Sequence, residues 1–271
     1  MESTRPIRAL MRGLDALTFL NLRDGATVSE VAQEIRLPRT TVYRILETLC
    51  TTGFVFRDAA DDRYRLTILV RGLSDGFDDE AWVTQIAKPV IHDLCREIIW
   101  PVSIATLSGT TMLVRESTDH NSPLATERYS AGFRAPLLTT ATGRAYLANS
   151  SAPQREMVID ILSRSNKEED KAARARVELQ RLLADIKSSG YATTVRSRRL
   201  AEEISLSVPV LLHDRVLASL TVRFAASAVP QKIGVERFLP KLRQAAARIS
   251  ALFSEQQAAA RVKSGAPETT A

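Results

Sequence analysis

A chain of 271 residues, of which 45% are hydrophobic and 25% charged, is long enough to form two modest domains with separate cores. Its two cysteines fit no CxxC or Cys/His ligand spacing and no apolar run reaches about 18 residues, which argues against a disulfide framework, a zinc site and a transmembrane helix. The first residues lack the apolar stretch of a signal peptide, so we expect a cytoplasmic protein without membrane contact.

The distribution of charged residues along the chain is more informative than the net charge. The net charge of +6 and the isoelectric point near 9.6 permit a polyanionic partner without requiring one. Residues 1–73 contain eleven arginines and no lysine against nine acidic residues, a net charge of 11 − 9 = +2. Nucleic-acid binding there would depend on individually placed arginines, which suit bidentate contacts to phosphate or guanine. The alternative is a general preference for arginine, because the whole chain has thirty arginines and seven lysines.

Three amphipathic segments open the chain. Apolar residues three and four apart predict a helix from Ile7 to Leu22, a short helix from Val28 to Ile35 and a third helix from about Pro38 to Thr52. Thr27 or Ser29 would cap the second helix. A proline suits the first turn of the third helix, since its missing N–H costs nothing at that position.

A β-hairpin is expected directly after these helices. The runs 54–57 and 63–68 alternate and are joined by an aspartate-rich turn. Three helices and a hairpin make a winged helix-turn-helix domain, which we assign to residues 1–73. The predicted DNA-binding residues are Arg39, Thr40, Thr41, Tyr43 and Arg44 on the third helix and Arg57, Arg63 and Arg65 on the hairpin.

Each of these residue types suits a different part of a duplex. Arginines contact guanine or phosphate, threonines contact phosphate or a thymine methyl group, and a tyrosine contacts phosphate or sugar. The simpler alternatives are a solvated helix face, a Thr41 that only caps the helix, and one hairpin arginine that pairs with Asp58, Asp61 or Asp62.

The rest of the chain predicts an α+β domain. Residues 74–81 are acidic and loop-like, a plausible hinge, and 74–98 would form the linker and a first helix over 82–98. Strands are expected at 102–107, 110–116, 191–195, 204–212 and 216–224, and helices at 154–162, 171–188 and 232–254. Residues 139–149 are expected to be a strand end that runs into a helix. An antiparallel sheet flanked by helices on both sides, over 82–254, is typical of GAF-like or PAS-like sensor modules. We expect a disordered tail over 255–271.

Two strands of this domain carry polar residues on alternate positions. Ser205 and Ser207 share one strand face, as do Thr221 and Arg223 on the next strand. If this face points into a cavity, Arg223 could hold an effector carboxylate bidentately. The alternative is an outward face with the arginine in solvent.

Two further groups of residues are candidates for the same cavity. Ala141, Thr142 and Gly143 begin a helix whose free N–H groups favour an anion. Trp100, Met112 and Leu137 would supply an apolar wall for an aromatic ring, or they are ordinary core residues.

Catalysis is not indicated. No GxSxG, HExxH, P-loop or dinucleotide motif lies in a suitable setting, and the three histidines are isolated in sequence. We therefore expect no catalytic residue, no metal site and no cofactor. An enzyme with an accessory winged-helix domain would need a titratable pair that the sequence does not offer. A protein-interaction adaptor, whose winged helix docks a partner, is a weaker alternative.

From about residue 7 to 254 the sequence resembles the IclR family of bacterial transcriptional regulators. The segment LPRTTVYRILETLCTTGFVFRDAADDRYRLT resembles the recognition helix and wing of that family, and GFRAPLLTTATGRAYLA resembles its effector-domain signature. The Gly190-Tyr191-Ala192 turn and the Ser207-Val208-Pro209-Val210 strand match as well. Matches in two domains, in the right order, make the resemblance strong.

This resemblance implies a regulator of a catabolic operon that binds a double-stranded DNA operator. It also implies a homo-oligomer, a dimer or a dimer of dimers, with RNA polymerase as a further possible partner. The effector would be a small aromatic or carboxylic acid. CREIIWP, LVREST and GFDDEAW resemble, more narrowly, the MhpR-type activators of hydroxyphenylpropionate catabolism.

The sequence also departs from the family pattern around the expected pocket. Glu202, Glu203 and Ile204 stand where many members have a glycine and an aliphatic residue, and Ser205 stands where several have a cysteine. Thr221 and Arg223 replace two serines. A glyoxylate-type pocket is therefore not expected unchanged.

Overall fold

The computed structural model describes residues 7–21, 23, 25–73, 79–125, 128–197, 202–213 and 215–263. The chain divides into two compact units, Met1–Asp78 and Asp79–Ala271. Most of the expected hinge, 74–78, and the end of the expected tail, 264–271, lie outside the described residues.

The first unit has the order of a winged helix-turn-helix. Its elements are α1 (Arg8–Leu20), α2 (Val28–Glu34), α3 (Arg39–Thr51), β1 (Val55–Arg57), β2 (Tyr64–Leu66) and α4 (Leu69–Gly72). Strands β1 and β2 pair antiparallel. A capping box begins α2, in which the Thr27 hydroxyl accepts from the Glu30 N–H at 3.3 Å and the Glu30 carboxylate accepts from the Thr27 N–H at 2.7 Å. Pro38 is the N-cap of α3, so the helix begins one residue later than expected.

The apolar stripe of α1 divides into two parts. Ala16, Phe19 and Leu20 are buried in the core of the first unit. Ile7, Leu10 and Leu14, at or near the start of the helix, are 70%, 61% and 53% exposed. The amphipathic spacing therefore predicts the helix correctly, but its first two turns do not contribute to this core.

The second unit begins with a helical segment whose hydrogen-bond pattern changes partway along. Asp79–Trp82 is α-helical (α5), Val83–Ala87 is a π-helix and Lys88–Ile98 is α-helical (α6). Pro89 is the second residue after the π-helical turn, and a proline has no N–H to donate to the preceding turn, which accounts for the local change of pitch.

The rest of this unit contains an antiparallel sheet of six strands, in the order β5-β4-β3-β8-β7-β6, together with further helices. The strands are β3 (Val102–Ser108), β4 (Thr111–Ser117), β5 (Arg134–Pro136), β6 (Ala192–Ser197), β7 (Glu202–Leu212) and β8 (Arg215–Ala225). The helices are α7 (Ala141–Asn149), α8 (Ala152–Ser163), α9 (Arg176–Ser189) and α10 (Gln231–Lys263), with a 3-10 segment over Glu168–Arg174. The expected α+β architecture is confirmed.

Three details differ from the expectation. Strand β5 was not predicted, because three residues are too few to show alternation. The expected helix over 171–188 is a 3-10 segment followed by α9. Helix α10 continues to Lys263, so the prediction of disorder is wrong for residues 255–263.

The central strands have two faces of different character. Alternate residues such as Ile104, Leu206 and Val222 pack with α6 and α10 in a core that includes Phe238 and Ile249. The intervening positions carry Ser103, Ser205, Ser207, Thr221 and Arg223. Because side chains alternate along a strand, one sheet presents an apolar face and a polar face.

Candidate functional site

The exposed face of α3 carries the residues expected to read DNA. Arg39, Thr40, Tyr43 and Arg44 are exposed, and the core of the first unit holds the helix through buried residues on its other side. Thr41 is half-buried, and its N–H donates to the Pro38 carbonyl at 2.9 Å. The four exposed side chains lie on one face because positions three and four apart are neighbours on a helix.

A cleft of about 720 Å³ runs along this face. It is lined by Thr27, Val28, Ser29, Arg39, Thr40, Tyr43, Arg44, Arg57 and Asp62. The cleft therefore joins the start of α2, the outer face of α3 and one edge of the hairpin. Among the described residues, neither Arg39 nor Arg44 forms an ion pair, so both guanidinium groups can meet an external anion.

The hairpin arginines are arranged differently, because all three pair with acids of the first unit. Arg57 pairs with Asp62 at 2.6 Å, and Arg63 pairs with Glu30 at 3.2 Å. Arg65 pairs with Asp58 at 2.6 Å and Asp61 at 2.5 Å. The sequence predicts such a pair for one of these arginines, so the hairpin contributes less unpaired positive charge than expected.

A buried hydrogen bond links the hairpin to α3. The hydroxyl of Tyr64 donates to the Glu47 carboxylate at 2.8 Å. Tyr64 is fully buried, and burial together with this bond raises the pKa of its hydroxyl well above the ordinary value. Arg63 adds a second tie, donating to the Gly25 carbonyl at 3.1 Å. The Tyr64 bond holds the hairpin beside α3, and the Arg63 bond joins it to the segment that precedes α2.

The second unit contains a cavity of about 280 Å³ on the polar face of the sheet. Its wall includes the rings of Tyr129 and Phe133, whose centroids are 4.4 Å apart. The other lining residues are Ser103, Val114, Ala135, Thr139, Thr140, Thr142, Thr194, Val195, Arg196, Glu203, Ser205, Thr221 and Arg223. One side is therefore aromatic and apolar, and the other is rich in hydroxyl groups.

The hydroxyl groups form a connected chain that starts at the cavity. The side-chain oxygens of Thr142 and Thr221 are 2.9 Å apart. Thr221 donates to the Ser207 hydroxyl at 3.0 Å, and Ser207 donates to the Leu220 carbonyl at 3.2 Å. Ser207 is fully buried behind the wall, so it orients Thr221 and does not line the cavity.

Arg223 lines the cavity, but two carboxylates already engage its guanidinium. It pairs with Glu203 at 3.2 Å and with Asp119, and all three groups are buried. The guanidinium also lies over the Tyr129 ring at 4.4 Å. The structure therefore does not offer Arg223 as a free cation for a ligand carboxylate, which corrects the role expected from the sequence.

The start of α7 forms part of the cavity wall. Thr140 caps this helix by accepting from the Gly143 N–H at 3.1 Å, and the Ala141 N–H donates to the Thr194 hydroxyl at 3.2 Å. Gly143 lies against Leu137, where an added Cβ would be 2.3 Å from the Leu137 carbonyl oxygen. Thr142 therefore faces the cavity while Gly143 permits the close packing behind it.

Several other expected cavity residues lie elsewhere. Trp100 packs in the core formed with α6 and α10. Met112 and Leu137 are fully buried in a different core, on the side of the sheet opposite Trp100. None of these three lines the cavity within the described residues. The sequence does not reveal this, because an apolar residue in isolation does not show which layer of the fold it joins. Ala141 and Gly143 are buried beside the cavity, and their N–H groups already donate to Thr194 and Thr140, so these two are not the free donors expected from the sequence.

The sequence reasoning missed Ser103, Asp119, Tyr129, Phe133, Thr139, Thr140, Thr194 and Glu203. Two signals were present for some of these residues. Thr139 and Thr140 precede the predicted helix, and Ser103 follows the polar alternation of its strand. Tyr129 and Phe133 lie in a segment without any periodicity, so only the fold brings them to the cavity.

The described residues contain no cluster of side chains suited to bind a metal ion. No helix among them is both long and apolar enough to cross a lipid bilayer.

Comparison with known proteins covers both units. Residues 9–59 match the IclR helix-turn-helix domain, and residues 79–251 match the family described as bacterial transcriptional regulator IclR C-terminal. The "Probable transcriptional regulator SauR" of Cupriavidus necator is 27% identical over 91% of this chain and 97% of its own. The Escherichia coli regulator KdgR is 23% identical over 83% of this chain and 84% of its own.

Solved structures of the family share this fold. An IclR-family protein from Rhodococcus is 22% identical, covers 93% of this chain and 98% of its own, and has a TM-score of 0.60. An IclR homologue from Microbacterium hydrocarbonoxydans, complexed with 4-hydroxybenzoate, is 22% identical over 90% of this chain and 98% of its own, with a TM-score of 0.51. The relatives are transcriptional regulators and not enzymes. The chain therefore belongs to the IclR family and is a DNA-binding transcriptional regulator.

Proposed function

We propose that the cavity of the second unit binds a small aromatic or carboxylic acid and that this binding controls transcription of a catabolic operon. The observation that carries the proposal is the cavity itself, with the rings of Tyr129 and Phe133 on one side and hydroxyl groups of α7 and the sheet on the other. An aromatic acid has the same division into a flat apolar ring and a polar anionic end.

The size of the cavity favours a small effector. Its volume of about 280 Å³ lies just below the range of roughly 300–1,000 Å³ that is common for ligand pockets. A single ring with one or two polar substituents fits such a volume better than a fused or extended ligand.

The carboxylate of the effector would bind at the start of α7. Thr140 and Thr142 line the cavity there, and the positive end of the helix dipole favours an anion. Arg223 would act indirectly, holding Tyr129 and Glu203 in place, because Asp119 and Glu203 already balance its charge. Arg196, exposed at the rim, would add long-range attraction.

Two likenesses support an aromatic effector. The homologue from Microbacterium hydrocarbonoxydans was crystallised with 4-hydroxybenzoate. The segments around residues 76–82, 95–101 and 113–118 resemble the MhpR-type activators, so hydroxyphenylpropionate-like acids belong among the candidates.

A thermal-shift screen of hydroxybenzoates and phenylpropionoid acids tests this proposal. A true effector at 100-fold over its dissociation constant adds about 2.7 kcal/mol to stability. We expect Thr142→Val to abolish most of the shift, because Thr142 faces the cavity, and Thr193→Val, on a neighbouring strand outside the cavity, to retain it. A shift that survives unchanged in Thr142→Val would place the ligand elsewhere.

We further propose that the working unit is a homo-oligomer in which two copies of α3 read half-sites roughly 34 Å apart. The exposed stripe of Ile7, Leu10 and Leu14 supports this, since apolar residues on one face of a helix favour burial against a partner. Sedimentation of the protein with and without Leu10→Lys tests the assignment. An unchanged oligomer would show that another surface associates.

A further inference from the structure

Asp62 places a negative charge in the cleft that runs along α3. Three arginines line this cleft, namely Arg39, Arg44 and Arg57. Among the described residues that line it, Asp62 is the single acid. DNA phosphates are themselves negative, so a carboxylate in this place weakens the sequence-independent attraction between the cleft and a duplex. The cleft is therefore not arranged for the strongest possible attraction to DNA.

Arg57 is the partner of this carboxylate. Its Nε and one of its terminal nitrogens both lie 2.6 Å from the same Asp62 oxygen. The pair is open to solvent, since the side chains of Arg57 and Asp62 are 45% and 73% exposed. An exposed ion pair contributes little to stability, because water and salt screen it. A DNA phosphate in the cleft can therefore replace Asp62 as the partner of Arg57.

The other two hairpin arginines are held inside the first unit. Arg63 donates to the Gly25 carbonyl at 3.1 Å and pairs with Glu30. Arg65 bridges two aspartates of the hairpin turn. Within the described residues, neither of these arginines lines the cleft. Arg57 is thus the hairpin arginine that the cleft exposes, and one carboxylate engages it.

The backbone of the hairpin turn holds Asp62 in place. Its N–H donates to the Asp58 carbonyl at 2.9 Å, and the Asp58 N–H donates to the Arg63 carbonyl at 2.8 Å. The φ angle of Asp62 is 59°, in the left-handed region that glycine, asparagine and aspartate adopt most readily. Asparagine or glycine can therefore replace Asp62 without a change in the turn.

We propose that Asp62 is a specificity-determining residue for DNA binding, an inference that rests on α3 as the helix that reads the operator. Asp62 engages Arg57 when the protein encounters a duplex of arbitrary sequence, and it releases Arg57 to a phosphate when α3 binds the operator. Base contacts of α3 supply the free energy that opens the pair, and an arbitrary duplex lacks these contacts. Asp62 thereby lowers the affinity for arbitrary DNA more than the affinity for the operator.

Binding to a duplex of arbitrary sequence, measured by fluorescence anisotropy over a range of salt concentrations, tests the exchange of partners in the full chain. We expect Asp62→Asn to bind about five- to tenfold more tightly than the unmodified protein at about 0.1 M salt. The slope of log affinity against log salt concentration should steepen by about 0.9, the value for one further phosphate contact. Asp62→Gly should behave in the same way, because it also removes the charge and keeps the turn.

Two control variants separate the release of Arg57 from a simple change in charge. The double variant Arg57→Gln with Asp62→Asn should lose the gain, because the released guanidinium makes the new contact. Asp15→Asn, exposed on α1 outside the cleft, removes the same charge and should bind like the unmodified protein. A gain that persists in the double variant, an equal gain in Asp15→Asn, or no gain in either Asp62 variant would overturn the proposal.

An operator selected from a random duplex library with the unmodified protein tests the effect on specificity. We expect Asp62→Asn to gain less on this operator than on the arbitrary duplex, so that the ratio of the two affinities falls by about threefold or more. An equal gain on both duplexes would overturn the specificity role. Operator binding retained by the double variant Arg39→Ala with Arg44→Ala would instead refute α3 as the reading helix, whereas the arbitrary duplex judges the exchange between Asp62 and Arg57 alone.

Discussion

Asp119 and Arg223 are 104 residues apart in sequence and form a buried ion pair at the cavity of the second unit, which Arg223 lines. Asp119 also accepts a hydrogen bond from the backbone N–H of Tyr129. One carboxylate thus holds both the guanidinium and the aromatic residue stacked on it, which makes Asp119 a positioning residue for the cavity.

Replacing Asp119 with asparagine should destabilise the second unit. Glu203 would still balance part of the Arg223 charge, so we expect a loss of about 1–3 kcal/mol in the free energy of unfolding. Asp93→Asn, which breaks an exposed pair with Arg96, should cost less than about 1 kcal/mol. Denaturation followed by tryptophan fluorescence measures both, because both tryptophans lie in this unit. Equal losses would contradict the distinction.

Two glycines should respond to alanine with opposite signs. At Gly143 a Cβ would lie 2.3 Å from the Leu137 carbonyl oxygen, and the backbone must move to relieve this overlap. We expect Gly143→Ala to cost about 1–3 kcal/mol of stability. At Gly13, within α1, a Cβ meets nothing within 4 Å, so Gly13→Ala should stabilise by up to about 1 kcal/mol. Thermal denaturation of the two variants tests both signs.

Operator binding should depend on the arginines of α3. We expect the double substitution of Arg39 and Arg44 to alanine to cost about 1–3 kcal/mol for each base-reading contact. The double substitution of Arg8 and Arg12 to alanine removes the same charge from α1, outside the cleft, and serves as the control. A gel-shift titration at several salt concentrations separates base contacts from phosphate contacts. Equal effects of the two double variants would refute the assignment.

The hydrogen bond between the hairpin and α3 can be removed by deleting one oxygen atom. Tyr64→Phe deletes the hydroxyl that donates to Glu47 at 2.8 Å and keeps the buried ring. A hydrogen bond to a charged group contributes about 1.5–3 kcal/mol, so we expect a loss of that order in the first unit. Amide hydrogen exchange in β1 and β2 should accelerate. Tyr43→Phe, exposed on α3, should leave this exchange unchanged.

Acid should weaken the hairpin before pH 2 is reached. The hydrogen bond from Arg65 lowers the pKa of Asp61 to about 2, below its ordinary value of 3.8, and Arg57 lowers the pKa of Asp62. Because these folded-state values are depressed, their stabilising contribution is complete above about pH 4 and is lost as the pH falls towards 2. Asp61→Asn should flatten this dependence.

Hydrogen exchange of β1 and β2, compared with that of Asp61→Asn at each pH, measures the contribution of the Asp61 pair. Asp15→Asn, in α1, should keep the pH profile of the unmodified protein. The same slope in Asp61→Asn as in the unmodified protein would show that this pair does not stabilise the hairpin.

Local patterns predict much of this architecture. Helical spacing predicts α1 to α3, and period-two alternation places Ser205, Thr221 and Arg223 on one face of the sheet. Both signals arise from neighbours along the chain, so no knowledge of tertiary packing is needed to read them.

The partners of these residues were not predictable in the same way. The pairing of Arg223 with Asp119 depends on how distant strands meet, and nothing local marks Asp119 as its partner. The hairpin is the opposite case: the aspartates beside Arg57 and Arg65 were visible, but sequence alone did not show that every arginine is paired.

The two-sided character of β7 and β8 limits how this domain can diversify. Position 205 can change with little disturbance to the layer formed by Leu206 and Val222, whereas Arg223 on the same face is held by its buried pairs with Asp119 and Glu203. Insertion of a single amino acid into either strand would instead move every following side chain to the opposite face of the sheet and place hydroxyl groups in the apolar core. Evolution can therefore retune what such a sensor recognises through point substitutions at those polar-face positions that hold no buried partner, without rebuilding its scaffold.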